Sequence, residues 1–335
     1  MTTSRPRRSA WRPGLAAAAI VLAGVLAWQL FGQDDAGPGT PDDHGPVVTA
    51  LKPDAQGLAL PKRIGSLRFA VMGDVGRGDR AQYDTANEMA RWHDRFNFSF
   101  VLMLGDNIYA EGTAEQYAAR FERPYKALLD RGVTFQAALG NHDPPGQPYY
   151  TPFNMGGHRY YSFRKSAGAP LPGAGQTVEF FALDTVVLDE AQLVWLRRML
   201  AASDADWRIG FYHHPLYTSG RYSFAASRIR RRLEPIFVQY GLDVGFSGHE
   251  HFYERIVPRQ GVQYFTSGGG GALRPGDIRV SPLTVAGFDD DTHFMLVEIA
   301  GDHFYFQTIS RTGQTVDQGQ FERVPHAEPA PVLRK

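Results

Sequence analysis

The sequence predicts an α/β fold in which two packed sheets are flanked by helices. In the first half of the chain, apolar runs typical of buried strands alternate with helical patterns, whereas the later runs are mostly strand-like. That order favours two sheets packed together with helices on the outside. The predicted strands are residues 67–72, 98–104, 133–139, 178–183, 209–212, 244–246, 262–266, 294–299 and 304–308.

Helical segments are predicted between these strands. Thr113 and Gln116 form a capping-box pattern ahead of the apolar positions of a short helix. Asp189 and Gln192 repeat that pattern ahead of a helix whose leucines at positions 193, 196 and 200 share one face. Two further helical segments are residues 80–96 and 229–240.

The first 32 residues have the pattern of an export signal. Four arginines precede an apolar run at residues 15–31 that only Gln29 interrupts. The run is near the lower limit for a membrane-spanning helix, about 17 residues. A cleaved signal peptide and a retained signal anchor therefore both stay open. Either one predicts an extracytoplasmic location: periplasmic, secreted or membrane-anchored.

Composition divides the rest of the chain into three parts. Residues 33–63 are polar and rich in Gly, Pro and Asp, which predicts a flexible linker. Residues 64–322 contain all the predicted strands and helices and are expected to form one domain. The proline-containing tail at 323–335 is expected to be loose.

Charge and cysteine content exclude several classes of protein. The 35 Lys and Arg residues balance 35 Asp and Glu residues, and the resulting net charge of +0 argues against a broad nucleic-acid-binding surface. The absence of cysteine excludes disulfides, thiolate zinc sites and cysteine nucleophiles. Nothing in the sequence indicates the oligomeric state.

Five short segments place metal-ligating residue types at predicted strand ends, and four of them follow an apolar run directly. In α/β sheets, ligands bind beyond the carboxyl ends of the strands, so the five can converge. Their carboxylate, amide, imidazole and phenol groups suit hard and borderline cations, and are numerous enough for two ions. The first chemistry to consider is therefore two-metal phosphoester hydrolysis. The segments are Gly73-Asp74, Gly105-Asp106-Asn107-Ile108-Tyr109, Gly140-Asn141-His142-Asp143, His213-His214-Pro215 and Gly248-His249-Glu250-His251.

Each segment alone also has an ordinary structural explanation. Taken alone, Asp74 after a strand is better explained as a turn residue than as a metal ligand. A helix cap would account for Asn141 but not for His142. His214 fits a buried core histidine, because adjacent side chains on an extended chain point in different directions.

The last segment gives a sharper signal. In extended chain, residues two apart face the same side, so His249 and His251 can reach neighbouring metal ions. Glu250 is then expected to face away from them. The combination of all five segments at strand ends is therefore much stronger evidence for a metal centre than any one segment.

The five segments in this order resemble the calcineurin-like metallophosphoesterase superfamily. Asp106-Asn107-Ile108-Tyr109, with its tyrosine, is similar to the purple acid phosphatases. The stretch from Leu183 to His213-His214-Pro215-Leu216-Tyr217 is similar to the tartrate-resistant kind. The resemblance covers nearly all of residues 67–308. It implies a four-layer α/β/β/α metallophosphatase sandwich, in which helices flank two packed mixed sheets.

The resemblance also implies two metal sites that share Asp106. The first site would hold Fe(III), whose bond to the Tyr109 phenolate would give a charge-transfer colour. The second would hold zinc, manganese or ferrous iron. The implied ligands of the first site are Asp74, Asp106, Tyr109 and His251. Those of the second site are Asp106, Asn141, His213 and His249.

The implied activity is that of an acid phosphatase acting on small phosphomonoesters. A metal-bound hydroxide would attack phosphorus in line with the leaving group, and His142 would contact the phosphate and help to protonate the leaving oxygen. Family members often carry an acidic residue or a histidine after the His-x-Pro turn, where this chain has residues 219–222, Ser-Gly-Arg-Tyr. The identity of the leaving-group acid therefore stays open.

Two alternatives to this function are kept. One is a zinc- or manganese-dependent phosphodiesterase built on the same scaffold. The other is a non-catalytic, metal-stabilised extracytoplasmic binding module, which the loss of an expected ligand would favour. All the expected ligands are present in the sequence.

Overall fold

The computed structural model describes residues 45–167, 176–279 and 281–325. The strands are β1 (Leu67–Met72), β2 (Phe100–Met103), β3 (Thr134–Ala137), β4 (Tyr161–Ser166), β5 (Thr177–Ala182), β6 (Trp207–Tyr212), β7 (Val244–Ser247), β8 (Tyr253–Ile256), β9 (Gln263–Ser267), β10 (Thr284–Phe288), β11 (His293–Ala300), β12 (His303–Ser310) and β13 (Thr315–Glu322). The α-helices are α1 (Arg80–Phe96), α2 (Ala114–Tyr117), α3 (Lys126–Leu129), α4 (Glu190–Ala202) and α5 (Ser223–Tyr240). A π-helical turn (Ala118–Glu122) continues α2, and two 3₁₀ turns (Gln147–Tyr149 and Thr151–Phe153) follow β3.

The strands form two mixed sheets. The six-stranded sheet has the order β13-β12-β11-β1-β2-β3, and the seven-stranded sheet has the order β10-β8-β9-β7-β6-β5-β4. β1, β2 and β3 are mutually parallel, as are β5, β6, β7 and β9. The other strands pair antiparallel. The predicted pair of mixed sheets is therefore confirmed.

The two sheets pack face to face through aromatic side chains. Phe69 of β1 lies 5.4 Å from Phe180 of β5 and 6.4 Å from Phe246 of β7, measured between ring centroids. Along β1, residues 67, 69 and 71 join this central cluster, whereas residues 70 and 72 face the other side. This alternation is the period of two expected of a strand.

Helices cover the outer face of each sheet. Met89 of α1 shares an apolar cluster with Ala70 of β1. Leu196 of α4 and Phe237 of α5 share another with Phe181 of β5. These contacts complete the four-layer α/β/β/α arrangement, which is confirmed.

The helix-start signals are mostly confirmed. Thr113 and Gln116 form both hydrogen bonds of a capping box. Asp189 caps α4 by accepting from the Gln192 backbone N–H at 2.8 Å, but the Gln192 side chain turns to the backbone of Asp184 instead. Helix α5 begins at residue 223 rather than at the predicted 229. The sequence pattern does not detect its first turn because that turn lacks an apolar stripe and exposes Phe224.

Strands β4, β8, β10 and β13 were missing from the sequence-based prediction. Three of them are sheet edges: β4 and β10 have no buried residue and β13 has only two, so their apolar pattern is weak. β8 is interior but carries two buried charges, Glu254 and Arg255. Arg255 is paired with Asp317 of β13 at 2.7 Å, a partner that only the tertiary structure supplies.

The expectation of a flexible linker is wrong for residues 45–63. Leu58 and Leu60 are buried. The backbone N–H of Ala59 donates to the Gln307 side chain of β12 at 2.9 Å, and Thr49 bridges to β13. Buried leucines and partners from distant strands offset the cost of ordering this segment.

The predicted export signal at 1–32 lies outside the described residues, as do residues 33–44 and the tail from 326. Within the described ranges, the structure contains no helix with the length and apolar character needed to cross a bilayer. The boundaries of the signal segment and tail stay predictions.

Candidate metal centre

The five ligand-bearing segments follow five parallel strands. β1, β2 and β3 lie in one sheet, and β6 and β7 lie in the other. β1, β6 and β7 end immediately before a segment, and β2 and β3 end one and two residues before theirs. Because the strands of each set are parallel, their carboxyl ends lie at one edge of the sheet. The two edges meet: the His213 ring, which follows β6, hydrogen-bonds the carbonyl oxygen of Leu104, which follows β2.

Three side chains form a first donor cluster. Oδ1 of Asp74, Oη of Tyr109 and Nε2 of His251 are separated from one another by 3.3 Å. Ligand distances of about 2.0–2.2 Å bring the donors around a single small cation to similar separations. The cluster therefore has the spacing and the chemistry of one metal site.

A second donor cluster surrounds Nε2 of His213. Oδ1 of Asn141 lies 3.0 Å from that nitrogen, Nδ1 of His249 lies 3.2 Å away and Oδ1 of Asp106 lies 3.4 Å away. The other ring nitrogen, Nδ1 of His213, donates to the Leu104 carbonyl at 2.9 Å. That bond fixes the tautomer and leaves the Nε2 lone pair directed at the cluster.

Asp106 connects the two clusters. Ligand atoms of Asp74, Asp106 and His213 all lie within 4.8 Å of one another, so the Asp106 carboxylate stands between the first cluster and the second. The His142 backbone N–H donates to Oδ1 of Asp106 at 2.9 Å and fixes its orientation. A carboxylate in this position can bridge two ions.

Three of the residues in these clusters have a left-handed backbone. φ is 57° at Asp74, 50° at Asp106 and 69° at His249. Such a conformation costs a non-glycine residue about 1–3 kcal/mol and persists where the surroundings enforce it, often at functional sites. Here the His249 backbone N–H donates to Oδ2 of Asp74 at 2.8 Å, so two of these residues hold each other in place.

Glycines beside the clusters are required by close packing. A Cβ at Gly140 would lie 2.2 Å from Oδ1 of Asp106, and a Cβ at Gly248 would lie 2.6 Å from Oδ2 of Asp74. A Cβ at Gly268 would lie 2.8 Å from that same carboxylate oxygen. The glycines at 140, 248 and 268 are thus explained by their close approach to the two carboxylates.

The electrostatics of the clusters suit a cation. Burial, and then the charge of Asp106, raises the pKa of Asp74, and burial also raises the pKa of Asp106. Burial lowers the pKa of His249 to about 2 and that of His251 to about 4, so both rings are neutral and present lone pairs. Two neighbouring carboxylates and neutral imidazoles form a donor set that fits metal ions well.

The sequence of the domain matches a known protein family. The model of the calcineurin-like phosphoesterase family matches residues 67–253, more than half of the chain. The chain belongs to the calcineurin-like phosphoesterase family. This range contains all seven proposed metal ligands.

Curated relatives of this phosphoesterase include acid phosphatases. Tartrate-resistant acid phosphatase type 5 of Rattus norvegicus is 27% identical over 305 residues, which cover 78% of this chain and 91% of the relative. Purple acid phosphatase 17 of Arabidopsis thaliana is 25% identical over 253 residues, which cover 67% and 73%. The expected resemblance to purple acid phosphatases is confirmed, and the protein is a phosphoric ester hydrolase.

Solved structures share the fold. Purple acid phosphatase PPD1 of yellow lupin has a TM-score of 0.61 at 19% identity, covering 79% of this chain and 55% of that one. GAP50, described as the anchor in the inner membrane complex of Plasmodium, has a TM-score of 0.70 at 19% identity, covering 79% and 90%. At this identity the likeness concerns the fold alone.

In this phosphoesterase, His142 lies at the exposed rim of the clusters. Its ring centroid is 5.1 Å from that of Tyr109. His142 and Asn141 are solvent-exposed, Tyr109 and His249 are half-buried, and the other proposed ligands are buried. A substrate can therefore approach from the side of residues 141–142.

The interpretation of His214 as a core histidine is wrong. Its ring is partly exposed, lies 4.4 Å from that of His249 and contacts Thr185 through Nδ1 at 3.1 Å. Ligand atoms of His213, His214 and His249 lie within 4.8 Å of one another. Both histidines lie beyond the end of β6, where the alternation of an extended strand no longer separates adjacent side chains.

The 248–251 segment reaches both clusters for a reason other than the expected one. His249 and His251 do serve neighbouring clusters, but φ of 69° at His249 means that the chain is turned there and not extended. Glu250 faces away as expected. It is fully buried and accepts from the Tyr222 backbone N–H at 3.0 Å and from the Thr218 hydroxyl at 3.2 Å.

Asp143 holds two ligand loops together, a role that its sequence position did not reveal. One carboxylate oxygen accepts from the Ile108 backbone N–H at 2.9 Å. The other accepts from the Gly140 N–H at 2.8 Å and from the Asn107 side chain at 3.0 Å. Burial raises the pKa of Asp143 to about 7. Only the fold brings the loops after β2 and β3 to the same carboxylate.

Proposed function

We propose that this protein is a purple acid phosphatase-like enzyme that hydrolyses phosphomonoesters at a binuclear metal centre. One observation supports this most: Asp106 lies between two donor clusters whose atoms are spaced for one cation each. Asp74, Tyr109 and His251 would hold the first ion together with Asp106. The second ion would have Asp106 and three further ligands, Asn141, His213 and His249.

We further propose Fe(III) at the site that contains Tyr109. Burial raises the pKa of the Tyr109 hydroxyl far above its ordinary value. Tyr109 would therefore bind as an anionic phenolate only to a cation of high charge. The second cluster offers amide oxygen, carboxylate and imidazole, a set that accepts zinc, manganese or ferrous iron.

The bound ions would neutralise the phosphate oxygens and lower the pKa of a water molecule enough to make it a nucleophile at moderate pH. The protein's own residues would hold the metal ligands and the substrate in position. The backbone N–H groups of His142 and His249 orient Asp106 and Asp74 at 2.9 and 2.8 Å. The His142 imidazole, on the open side, is placed to contact the phosphate and to donate a proton to the leaving oxygen.

Hydrolysis of two model substrates tests this function. Metal-loaded protein should hydrolyse p-nitrophenyl phosphate much faster than bis(p-nitrophenyl) phosphate. Asp106→Asn should reduce the rate at least about a thousandfold because both ions lose a ligand. Asp302→Asn is the matched control, since Asp302 is an exposed carboxylate paired with Arg323 at 2.8 Å.

Other outcomes of this assay would support the two alternative functions. A faster rate on the bis ester would make the protein a phosphodiesterase. Absence of turnover on both esters, with two metal ions bound per chain, would support the non-catalytic binding module. Equal rates for Asp106→Asn and the wild type would show that Asp106 is not a metal ligand.

We also propose an extracytoplasmic location, on the basis of the cationic and apolar pattern at residues 1–32. Cell fractionation should place the protein outside the cytoplasm or in the membrane. Mass spectrometry of the mature N-terminus would separate a cleaved signal from a retained anchor. A soluble cytoplasmic product with an intact N-terminus would contradict the proposal.

A further inference from the structure

We infer that Arg274 is a substrate-binding residue whose guanidinium group contacts the phosphoryl oxygens of the ester at the metal centre. The inference rests on the proposed function, since it requires a phosphate between the two donor clusters. It adds a cationic group of the protein to the ions as a second means of binding phosphate.

The loop that carries Arg274 is attached to the backbone of the ligand segments. The N–H of Gly270 donates to the carbonyl of Gly73 at 3.0 Å, and the N–H of Ala272 donates to the carbonyl of Asp74 at 2.9 Å. The N–H of Arg274 itself donates to the carbonyl of His251 at 3.3 Å. Arg274 is therefore fixed relative to two ligands of the first cluster.

The Arg274 side chain extends toward the second cluster. Its guanidinium carbon lies 5.8 Å from the centre of the Tyr222 ring, and that ring lies 4.4 Å from the ring of His249, measured between centroids. Arg274 is thus bonded through its backbone to His251 of the first cluster, while its guanidinium packs beside the Tyr222 ring that contacts His249 of the second.

One nitrogen of this group lacks an acceptor. Nη1 of Arg274 is buried and has no hydrogen-bond partner among residues 45–167, 176–279 and 281–325. Other arginines near the site have partners: Arg77 pairs with Asp79 at 3.0 Å, and Arg221 pairs with Asp277. A buried guanidinium N–H without an acceptor is costly, so its surroundings favour an anionic ligand.

Phosphate is the anion that this group fits. The planar guanidinium offers parallel N–H groups that match two phosphate oxygens, and such charge-assisted bonds are among the strong ones. The two metal ions would occupy some of the phosphate oxygens, and Arg274 is placed to bind an oxygen that they leave free. Lysine can supply the charge at this position but not the fork geometry.

Phosphate binding by variants of the metal-loaded enzyme tests the inference. Arg274→Ala should raise both KM for p-nitrophenyl phosphate and the Kd of inorganic phosphate, measured by calorimetry, at least about tenfold. Arg274→Lys should recover part of that loss. Metal content and Tm should match those of the wild type. Arg279→Ala is the control, because Arg279 is an exposed arginine five residues along the same loop.

The outcomes separate this inference from the proposed function. If the wild type hydrolyses the ester while Arg274→Ala and Arg274→Lys bind phosphate as tightly as the wild type does, the inference fails and the function stands. If Arg274→Lys binds phosphate normally and Arg274→Ala loses metal or stability, Arg274 is structural and the inference also fails. If the metal-loaded wild type neither turns over nor binds phosphate, the proposed function itself is wrong.

Discussion

The two sheets contribute different chemistry to the candidate metal centre. The segments that follow strands of the six-stranded sheet provide oxygen donors, from Asp74, Asp106, Tyr109 and Asn141. Those that follow strands of the seven-stranded sheet provide nitrogen donors, from His213, His249 and His251. Each cluster combines both kinds, so a metal ion in either one would link the edges of the two sheets.

The core and the ligand edge are stabilised in different ways. The central core joins the sheets along their length, but the ligand edge consists of loops with buried carboxylates and strained backbone. Burying ionised carboxylates next to each other is unfavourable without a cation. The ligand edge should therefore depend on metal far more than the core does.

Removal of the ions should have the largest effect. Exhaustive chelation should abolish turnover and lower Tm by about 10 °C, because ions at a thousand times their Kd stabilise by about 4 kcal/mol and each kcal/mol is worth about 2–4 °C at this size. Calorimetry before and after chelation measures this change, and adding metal back is the control. An unchanged Tm would show that no ion links the sheets.

The Tm difference between loaded and metal-free protein should widen as the pH rises above the ordinary pKa range of a carboxyl group. Burial raises the pKa of Asp74 and Asp106 in the metal-free chain, so their protonated forms stabilise it at acid pH. That stabilisation is lost as the pH rises through the raised values, whereas bound ions keep both groups ionised at low cost. His251, with a pKa lowered to about 4, is neutral in both forms over this range. A difference that narrows with pH would contradict this account.

Loss of a single nitrogen donor should remove one ion. His213→Ala should reduce the metal content from two ions to one per chain and reduce turnover at least about a hundredfold, since Nε2 of His213 is central to the second cluster. His303→Ala is the control, because His303 is a half-exposed histidine of β12 that belongs to neither donor cluster. Elemental analysis measures the content, and loss of metal in the control would change the assignment.

Closing the space beside the oxygen donors should have a smaller effect. In Gly268→Ala the new Cβ would lie 2.2 Å from the Glu250 carbonyl and 2.8 Å from Oδ2 of Asp74, so the carboxylate must shift. A shift of that kind should lower kcat/KM by about a hundredfold. Gly146→Ala is the control, since a Cβ there meets nothing within 4 Å. Equal kinetics for both variants would show that the glycine loop does not position Asp74.

Much of the fold was predictable because its signals are local. The bounds of β1 and α1 match the prediction, since an apolar run and a capped amphipathic segment are visible within a few residues. β8 was missed because its buried Arg255 is neutralised by Asp317, which lies 62 positions away. A pattern based on neighbouring residues does not detect such a partner.

The same distinction holds for the candidate site. The ligand types after each strand could be predicted from the sequence, and the parallel strands bring those residues together. The contribution of Arg274 could not be predicted, because its loop reaches the site through backbone hydrogen bonds to Asp74 and His251 that no sequence pattern encodes. Likewise, the turned backbone at His249 depends on a bond to Asp74, 175 positions away.

Tyr109→Phe should have the smallest effect on rate and the clearest effect on colour. The variant loses one oxygen donor of the first cluster, but Asp74 and His251 stay 3.3 Å apart with Asp106 nearby, so turnover should fall by no more than about tenfold. Iron-loaded wild-type protein should be violet, and the variant should lack the absorption band while retaining iron. A visible spectrum and an iron assay on the same sample measure both. If the band persists without the phenol, Tyr109 does not bind Fe(III), and the oxygen donors of the six-stranded sheet would be limited to carboxylates and an amide.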